Sequence, residues 1–216
     1  MATFIHHKNP YSEELTEIIA GLKPTPGVCI FIDLINSTGD KYDQEGNAWV
    51  RKLNNTFNFI SFINDFPNFV VKGIGDELML YLPDSDLKNS RSFNNYFSLL
   101  SEIYATMDTL VHHPLKEIFY ECKVAIHYCT DVYNITFFDG VNDYYGIDID
   151  MSARLMKKAQ GDRVVMSEAF YKMVMKDVEQ LNIDKKDTLI SEISKTYIED
   201  FKGIPHPTEY RLLQLK

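Results

Sequence analysis

Three features of this chain predict an α+β fold with a ferredoxin-like βαββαβ core. Its apolar runs fall in the order strand, helix, hairpin, helix, strand. The first run, Val28-Cys29-Ile30-Phe31-Ile32, closes on a carboxylate, Asp33. The hairpin holds a second carboxylate, Asp76, in the turn Gly73-Ile74-Gly75-Asp76. That order implies an antiparallel-rich sheet with helices on one face and appended C-terminal elements. Strand one and the hairpin are neighbours in such a core, so both acids are expected at one sheet edge.

The elements follow in turn. Residues 11–22 set Leu15, Ile18, Ile19 and Leu22 on one helical face, with Ser12 as cap. Lys23-Pro24-Thr25-Pro26-Gly27 breaks that helix, so residues 1–26 read as a helical lead and linker and 27–216 as the main domain. Strand one occupies 28–32, and Asn36-Ser37-Thr38-Gly39-Asp40 is a polar loop. Val50, Leu53, Phe57 and Ile60 recur at helical spacing and predict a long helix over 44–64. Residues 69–71 and 78–82 form the hairpin. A helix follows over 92–111, a strand over 119–127 and a partner strand over 133–138. Helices over 147–160 and 167–180 flank a short strand at 164–166, and 210–215 is the last strand. Residues 182–196 are polar and carry no assigned element.

Composition bounds the function. The chain has 216 residues, 45% hydrophobic and 25% charged, the profile of a soluble globular protein. Its apolar runs fall far short of the roughly 18 residues of a membrane span. The N-terminus lacks the apolar core of a signal peptide, so a cytoplasmic location is expected. The three cysteines are odd in number and at no motif spacing; Cys29 and Cys122 lie in apolar strands, which predicts buried reduced thiols. A net charge of −9 argues against nucleic-acid and anionic-membrane partners. It leaves a phosphorylated ligand open, because a bound metal inverts the local field. The histidines offer no zinc spacing: His6-His7 and His112-His113 are adjacent pairs, and His127 is expected to pack at a strand end rather than ligate.

The chemistry rests on carboxylates and one arginine. Mg²⁺ favours one or two carboxylates plus phosphate oxygens, which Asp33 and Asp76 would satisfy. Either acid alone is ordinarily a cap or turn former. The Asn36–Gly39 turn, with Ser37 and Thr38, can offer backbone N–H groups to phosphate, though no lysine stands at P-loop spacing. Asp150 and Arg154 are four apart and share a helix face, where a solvated ion pair is the ordinary outcome. The small Ser152 and Ala153 beside Arg154 leave room for a ligand, and an arginine there can stabilise charge on phosphorus.

Several segments together resemble the class III nucleotidyl cyclase family. They are Phe31-Ile32-Asp33-Leu34-Ile35-Asn36-Ser37-Thr38, Val71-Lys72-Gly73-Ile74-Gly75-Asp76, and Asp143-Tyr144-Tyr145-Gly146-Ile147-Asp148-Ile149-Asp150-Met151-Ser152-Ala153-Arg154-Leu155. Ala159 to Glu168 and Phe201-Lys202-Gly203 extend the match in the same order. The resemblance implies a cyclase catalytic domain that turns a nucleoside triphosphate into a 3′,5′-cyclic nucleotide and pyrophosphate. It implies two Mg²⁺ or Mn²⁺ ions per site at Asp33, Leu34 and Asp76, catalytic roles for Arg154 and Asp150, base reading by Lys72 and Asp143, and triphosphate contacts from Ser37, Thr38 and Lys202. It also implies a head-to-tail homodimer whose sites are shared between subunits. Asp150 departs from the family, which has asparagine there; a carboxylate cannot donate unless protonated. Lys72 with Asp143 resembles the adenine-reading pair, which leaves an adenylate or guanylate cyclase open. The lone domain and the Ile-Asp-x-x-Ala-Arg-Leu variant look like the stand-alone pyrimidine cyclases of Pycsar anti-phage systems, which make cyclic UMP or cyclic CMP for a separate effector. Trp49, Phe66 and Phe69 are candidates for narrowing a pyrimidine pocket, or else core aromatics. Among rivals, a diguanylate cyclase would need a second glycine and a phenylalanine missing around Gly75-Asp76-Glu77-Leu78. A catalytically inactive nucleotide-binding module has no need to keep Asp33, Asp76 and Arg154 together.

Overall fold

The computed structural model describes residues 2–5, 9, 11–43, 47–61, 66–138, 140–185 and 189–216. His6 and His7 lie outside the described residues. A two-residue strand β1 (Thr3–Phe4) precedes helix α1 (Glu13–Gly21). Ser12 caps α1 by accepting from the Leu15 amide at 3.2 Å. Strand β2 (Gly27–Leu34) leads into α2 (Ser37–Asp43) and α3 (Ala48–Ser61). The hairpin is β3 (Val70–Ile74) and β4 (Glu77–Pro83), followed by α4 (Asp84–Asn89) and α5 (Tyr96–Val111). Then come β5 (Cys122–Cys129), β6 (Ile135–Thr136), α6 (Ile147–Leu155), β7 (Arg163–Ser167), α7 (Glu168–Gln180), β8 (Tyr197–Glu199) and β9 (Thr208–Gln214).

The main sheet has seven strands in the order β3-β4-β2-β5-β7-β9-β8. β2 runs antiparallel to β4 and β5, and β5 runs parallel to β7. The β3-β4-β2-β5 portion has the ferredoxin-like order, as the sequence predicts. β2 is apolar at nearly every position, and a strand apolar on both alternating sides needs cover on both faces. Val28, Ile30 and Ile32 join Leu99, Ile103 and Val174 in the larger core, under α5 and α7. Cys29 and Phe31 face the other way, where Ile149 of α6 packs with them. The helices therefore lie on both faces, which corrects the one-face expectation.

Four further expectations change. The helix foreseen over 44–64 is found as α3, but the stretch from Ser37, foreseen as a polar loop, is α2; Asn36, at φ 61°, turns the chain straight from β2 into it. Residues 44–46 and 62–65 lie outside the described residues. The segment 133–138 does not pair with β5, because both sides of β5 are taken by β2 and β7. Its Ile135–Thr136 pairs in parallel with β1, stitching the N-terminal lead to the domain. The helix foreseen over 147–160 ends at Leu155 and tightens into a 3₁₀ turn, Met156–Lys158. β8 went unforeseen; three residues on a sheet edge leave too short an alternation to read. No helix of the described residues is long and apolar enough to cross a membrane. Cys29, Cys122 and Cys129 are all free and buried, as expected of reduced thiols.

Candidate active site

Strand register brings the acids together. Asp33 is the Cα partner of Glu77 in β4 and of Lys123 in β5. Asp76 immediately precedes Glu77, in a turn that Gly75 makes possible at φ 69°, a region glycine enters without penalty. Asp33 and Asp76 thus end at one rim of the sheet although 43 positions separate them. Alternation aims Asp33 to the same side as Phe31, towards α6. Burial raises the Glu77 carboxyl above its ordinary range, and the charges of Asp33 and Asp76 raise it further. Glu77 thereby reports both acids as near neighbours.

Each acid has a donor partner. Lys123 Nζ lies 3.0 Å from Asp33 Oδ2. The Ser37 hydroxyl donates to Asp76 Oδ2, tying the start of α2 to the hairpin turn. Leu34 buries its side chain in the larger core, so only its main-chain carbonyl can serve a ligand. Thr38 is exposed in the first turn of α2. The donor set is of the kind divalent cations take: carboxylates stand at one rim, the charge around Glu77 is in excess, and the Lys123 ammonium supplies part of the balance.

A second group lines a cavity of about 500 Å³ beside this rim, bounded by Phe31, Lys72, Glu77, Tyr145, Asp150 and Ala153 among others. Lys72 Nζ donates to both oxygens of Asp143 at 2.8 Å and sits 5.4 Å from the Tyr145 ring centroid. Asp143 is 7% exposed and also accepts from the Tyr144 amide at 2.8 Å. Glu77 borders both groups and so links the acidic rim to the Lys72–Asp143 pair. Trp49, Phe66 and Phe69 do not line this cavity: Phe66 packs edge-on against Phe93 in the core, and Trp49 lies under Lys41. The aromatic walls are Phe31, Tyr144 and Tyr145.

Asp150 and Arg154 both sit on α6, which packs across β5 and β2. They form no ion pair with each other, and the Arg154 guanidinium has no partner among the described residues. Lys202 is exposed in the β8–β9 connection. The strand order puts that connection at the opposite sheet edge from the β3–β4 turn, so one chain does not unite Lys202 with Asp76. Sequence reading missed Glu77, Lys123 and Tyr145. Strand alternation through Lys123, Ala125 and His127 was the available signal for the second of these.

Comparison with solved structures identifies the fold as that of nucleotidyl cyclase catalytic domains. The adenylyl cyclase CyaB from P. aeruginosa matches at TM-score 0.62 and 18% identity, over 88% of this chain and 94% of that one. The guanylyl cyclase Cya2 matches at TM-score 0.67 and 14% identity, over 91% and 100%. The guanylate cyclase domain of RhGC from Catenaria anguillulae, in complex with GTP, matches at TM-score 0.60 and 13% identity, over 90% and 99%. No protein-family model and no curated protein matches the sequence.

Proposed function

We propose that this chain is a nucleotidyl cyclase that converts a nucleoside triphosphate, UTP or CTP favoured, into a 3′,5′-cyclic nucleotide and pyrophosphate. The observation that carries the reading is the meeting of Asp33 and Asp76 at one rim of a cyclase-type sheet, beside the cavity lined by Lys72, which is bonded to Asp143. Asp33, Asp76 and the Leu34 carbonyl would hold two Mg²⁺ or Mn²⁺ ions. Bound there, such cations acidify the ribose 3′-hydroxyl and neutralise the leaving pyrophosphate. The ribose 3′-oxygen forms its bond to the α-phosphorus as the bond from that phosphorus to the bridging oxygen of pyrophosphate breaks. Arg154, unpaired among the described residues, is available to the charge that builds on phosphorus. Ser37 and Thr38 flank the phosphates at the start of α2.

The Asp143 carboxylate accepts from an exocyclic amine, and Lys72 donates beside it. That chemistry suits cytosine and also adenine, which supports adenylate cyclase activity as the second reading. The preference for a pyrimidine rests on the Ile-Asp-x-x-Ala-Arg-Leu variant, which looks like the pyrimidine cyclases of anti-phage defence. A cyclic nucleotide so made would act through a separate effector. Asp150 faces the same cavity as Lys72 and is assigned to the ribose or to orienting Arg154.

The placement of Lys202 at the far sheet edge supports a head-to-tail homodimer, in which the partner supplies what one chain lacks. Incubation with ATP, GTP, CTP and UTP separately, with Mg²⁺ or Mn²⁺ and mass analysis, tests activity and base together. Cyclic UMP or cyclic CMP is expected; cyclic AMP or cyclic GMP alone would move the assignment of the base. Asp33→Ala and Asp76→Ala should each abolish turnover in a folded protein. Cyclisation that survives both changes overturns the reading.

A further inference from the structure

A second cluster of ligating groups lies on the same sheet face, about four residues further along β5 from Lys123. At ~3.3 Å per residue that is roughly 13 Å from the acidic rim. His127 is the Cα partner of Cys29, and Cys129 follows two residues later on the same side. Asp148, from the first turn of α6, points back at them: its Oδ1 lies 3.3 Å from His127 Nε2. One nitrogen of His127, the Cys129 sulfur and one Asp148 oxygen all lie within 4.8 Å of one another.

His127 is 7% exposed, and Nε2 is the ring nitrogen that faces Asp148. The Nε2–Oδ1 contact is long for a charge-assisted bond, which runs at about 2.7–2.9 Å. Two ligands of one tetrahedral zinc, each ~2.0–2.1 Å from the metal, stand about 3.3–3.4 Å apart. The observed spacing matches that edge.

Asp148 is held in place by two backbone donors, the Thr130 and Asp131 amides, which donate to Oδ2 at 2.6 and 2.8 Å. Oδ1 faces the cluster with His127 as its neighbour. His127 and Asp148 also border an open cavity of about 710 Å³ that includes Lys172 and His206, which supplies an entry path and room for a fourth ligand.

We infer that His127, Cys129 and Asp148 form a zinc-class metal site distinct from the Asp33–Asp76 rim. One imidazole, one thiolate and one carboxylate select Zn²⁺ over Mg²⁺ or Ca²⁺, which favour all-oxygen sets. Such a site joins the end of β5 to the start of α6, the helix that carries Asp150 and Arg154. Metal at this position stabilises the placement of that helix. The spacing His127-x-Cys129 carries no zinc signature; the third ligand comes from the fold, 19 positions downstream of Cys129.

Cobalt substitution tests the assignment. The full chain is stripped with a chelator and titrated with Co²⁺, in the Asp33→Ala, Asp76→Ala background so that the acidic rim contributes nothing. One Co²⁺ per chain should bind with the visible bands of a tetrahedral ion and a near-ultraviolet thiolate-to-cobalt band, and Zn²⁺ should bleach both. Cys129→Ser should erase the thiolate band, and Asp148→Asn should weaken binding at least tenfold. Cys29→Ser and Cys122→Ser should keep the band. Zn²⁺ should raise the melting temperature of the Cys29→Ser protein. Absence of a thiolate band in metal excess, or a band that follows Cys29 instead, overturns the proposal. Because the wild-type spectrum is itself diagnostic, a Cys129→Ser protein that fails to fold leaves the test intact.

Discussion

At the scale of the residue, Glu77 is the informative side chain. It stands cross-strand from Asp33, next to Asp76 in sequence, and borders the cavity that Lys72 lines. Burial, then Asp33, then Asp76 raise its carboxyl above the ordinary value of 4.5. A carboxyl raised on folding works against the native state where it is ionised. As pH falls through the raised folded value, the native protein takes up a proton that the unfolded chain does not yet hold, and stability increases. Below about 4.5 both states are protonated and the effect is spent. Glu77→Gln should therefore raise the melting temperature at pH 7 in chelator, with the gain shrinking as pH falls to the ordinary carboxylate range. Thermal melts across that range measure this; a glutamine variant that is less stable at pH 7 contradicts the electrostatic account. Arg154 belongs to the same scale. With no partner for it among the described residues, its loss removes no ion pair there, so Arg154→Ala should leave the melting temperature in place and lower kcat by roughly 10²-fold. Steady-state kinetics decide it, and an unchanged kcat makes it a surface residue.

Elements place these residues. Gly146 immediately precedes α6, and a Cβ there would overlap the Asp131 carbonyl and stand 2.9 Å from Val132 Cα. The β5–β6 loop and the start of α6 are pressed together at this point, and the Thr130 and Asp131 amides on Asp148 hold them there. Gly146→Ala should cost about 1–3 kcal/mol of stability, as overpacking does elsewhere, and displace Asp143 and Asp150 with the helix. Denaturant unfolding measures the first effect and KM for the triphosphate the second. Normal stability in the alanine variant contradicts the close approach. Elements are also where sequence reading was uneven. β2 was legible because its apolar run is long and bounded by Gly27 and Asp33. The hairpin was legible because Gly75-Asp76 interrupts two apolar runs. The fate of residues 133–138 was not, since it depended on β7 having claimed the free side of β5. α2 was hidden because Ser37, Thr38, Gly39 and Asp40 have turn propensities, and only the left-handed Asn36 launches them as a helix.

On the scale of the whole molecule, the sheet order separates groups that the proposed chemistry needs together. Lys202 belongs to the β8–β9 edge and Asp76 to the β3–β4 edge. Two chains in head-to-tail contact would reunite them, with the metal carboxylates from one and Arg154 from the other. Mixing an Asp33→Ala chain with an Arg154→Ala chain tests this directly. Each is inactive alone, yet the mixed dimer holds one intact site, and symmetry sets recovery at about a quarter of the wild-type rate. Activity that stays at zero after subunit exchange, shown by mixed-dimer capture, means that each chain builds its site alone.

Local patterning was enough to establish the α+β class, the strand that ends on Asp33, the turn that holds Asp76 and the helix that presents Asp150 and Arg154. Those features depend on alternation, helical period and turn chemistry, which act over a few residues. Pairing was another matter. That Glu77 stands between two acids, that Lys72 reaches Asp143 across 71 positions, and that His127 finds Asp148, all follow from strand register and from α6 closing the second sheet face. Register is a cooperative outcome of burying both faces of β2, and no short window of sequence contains it.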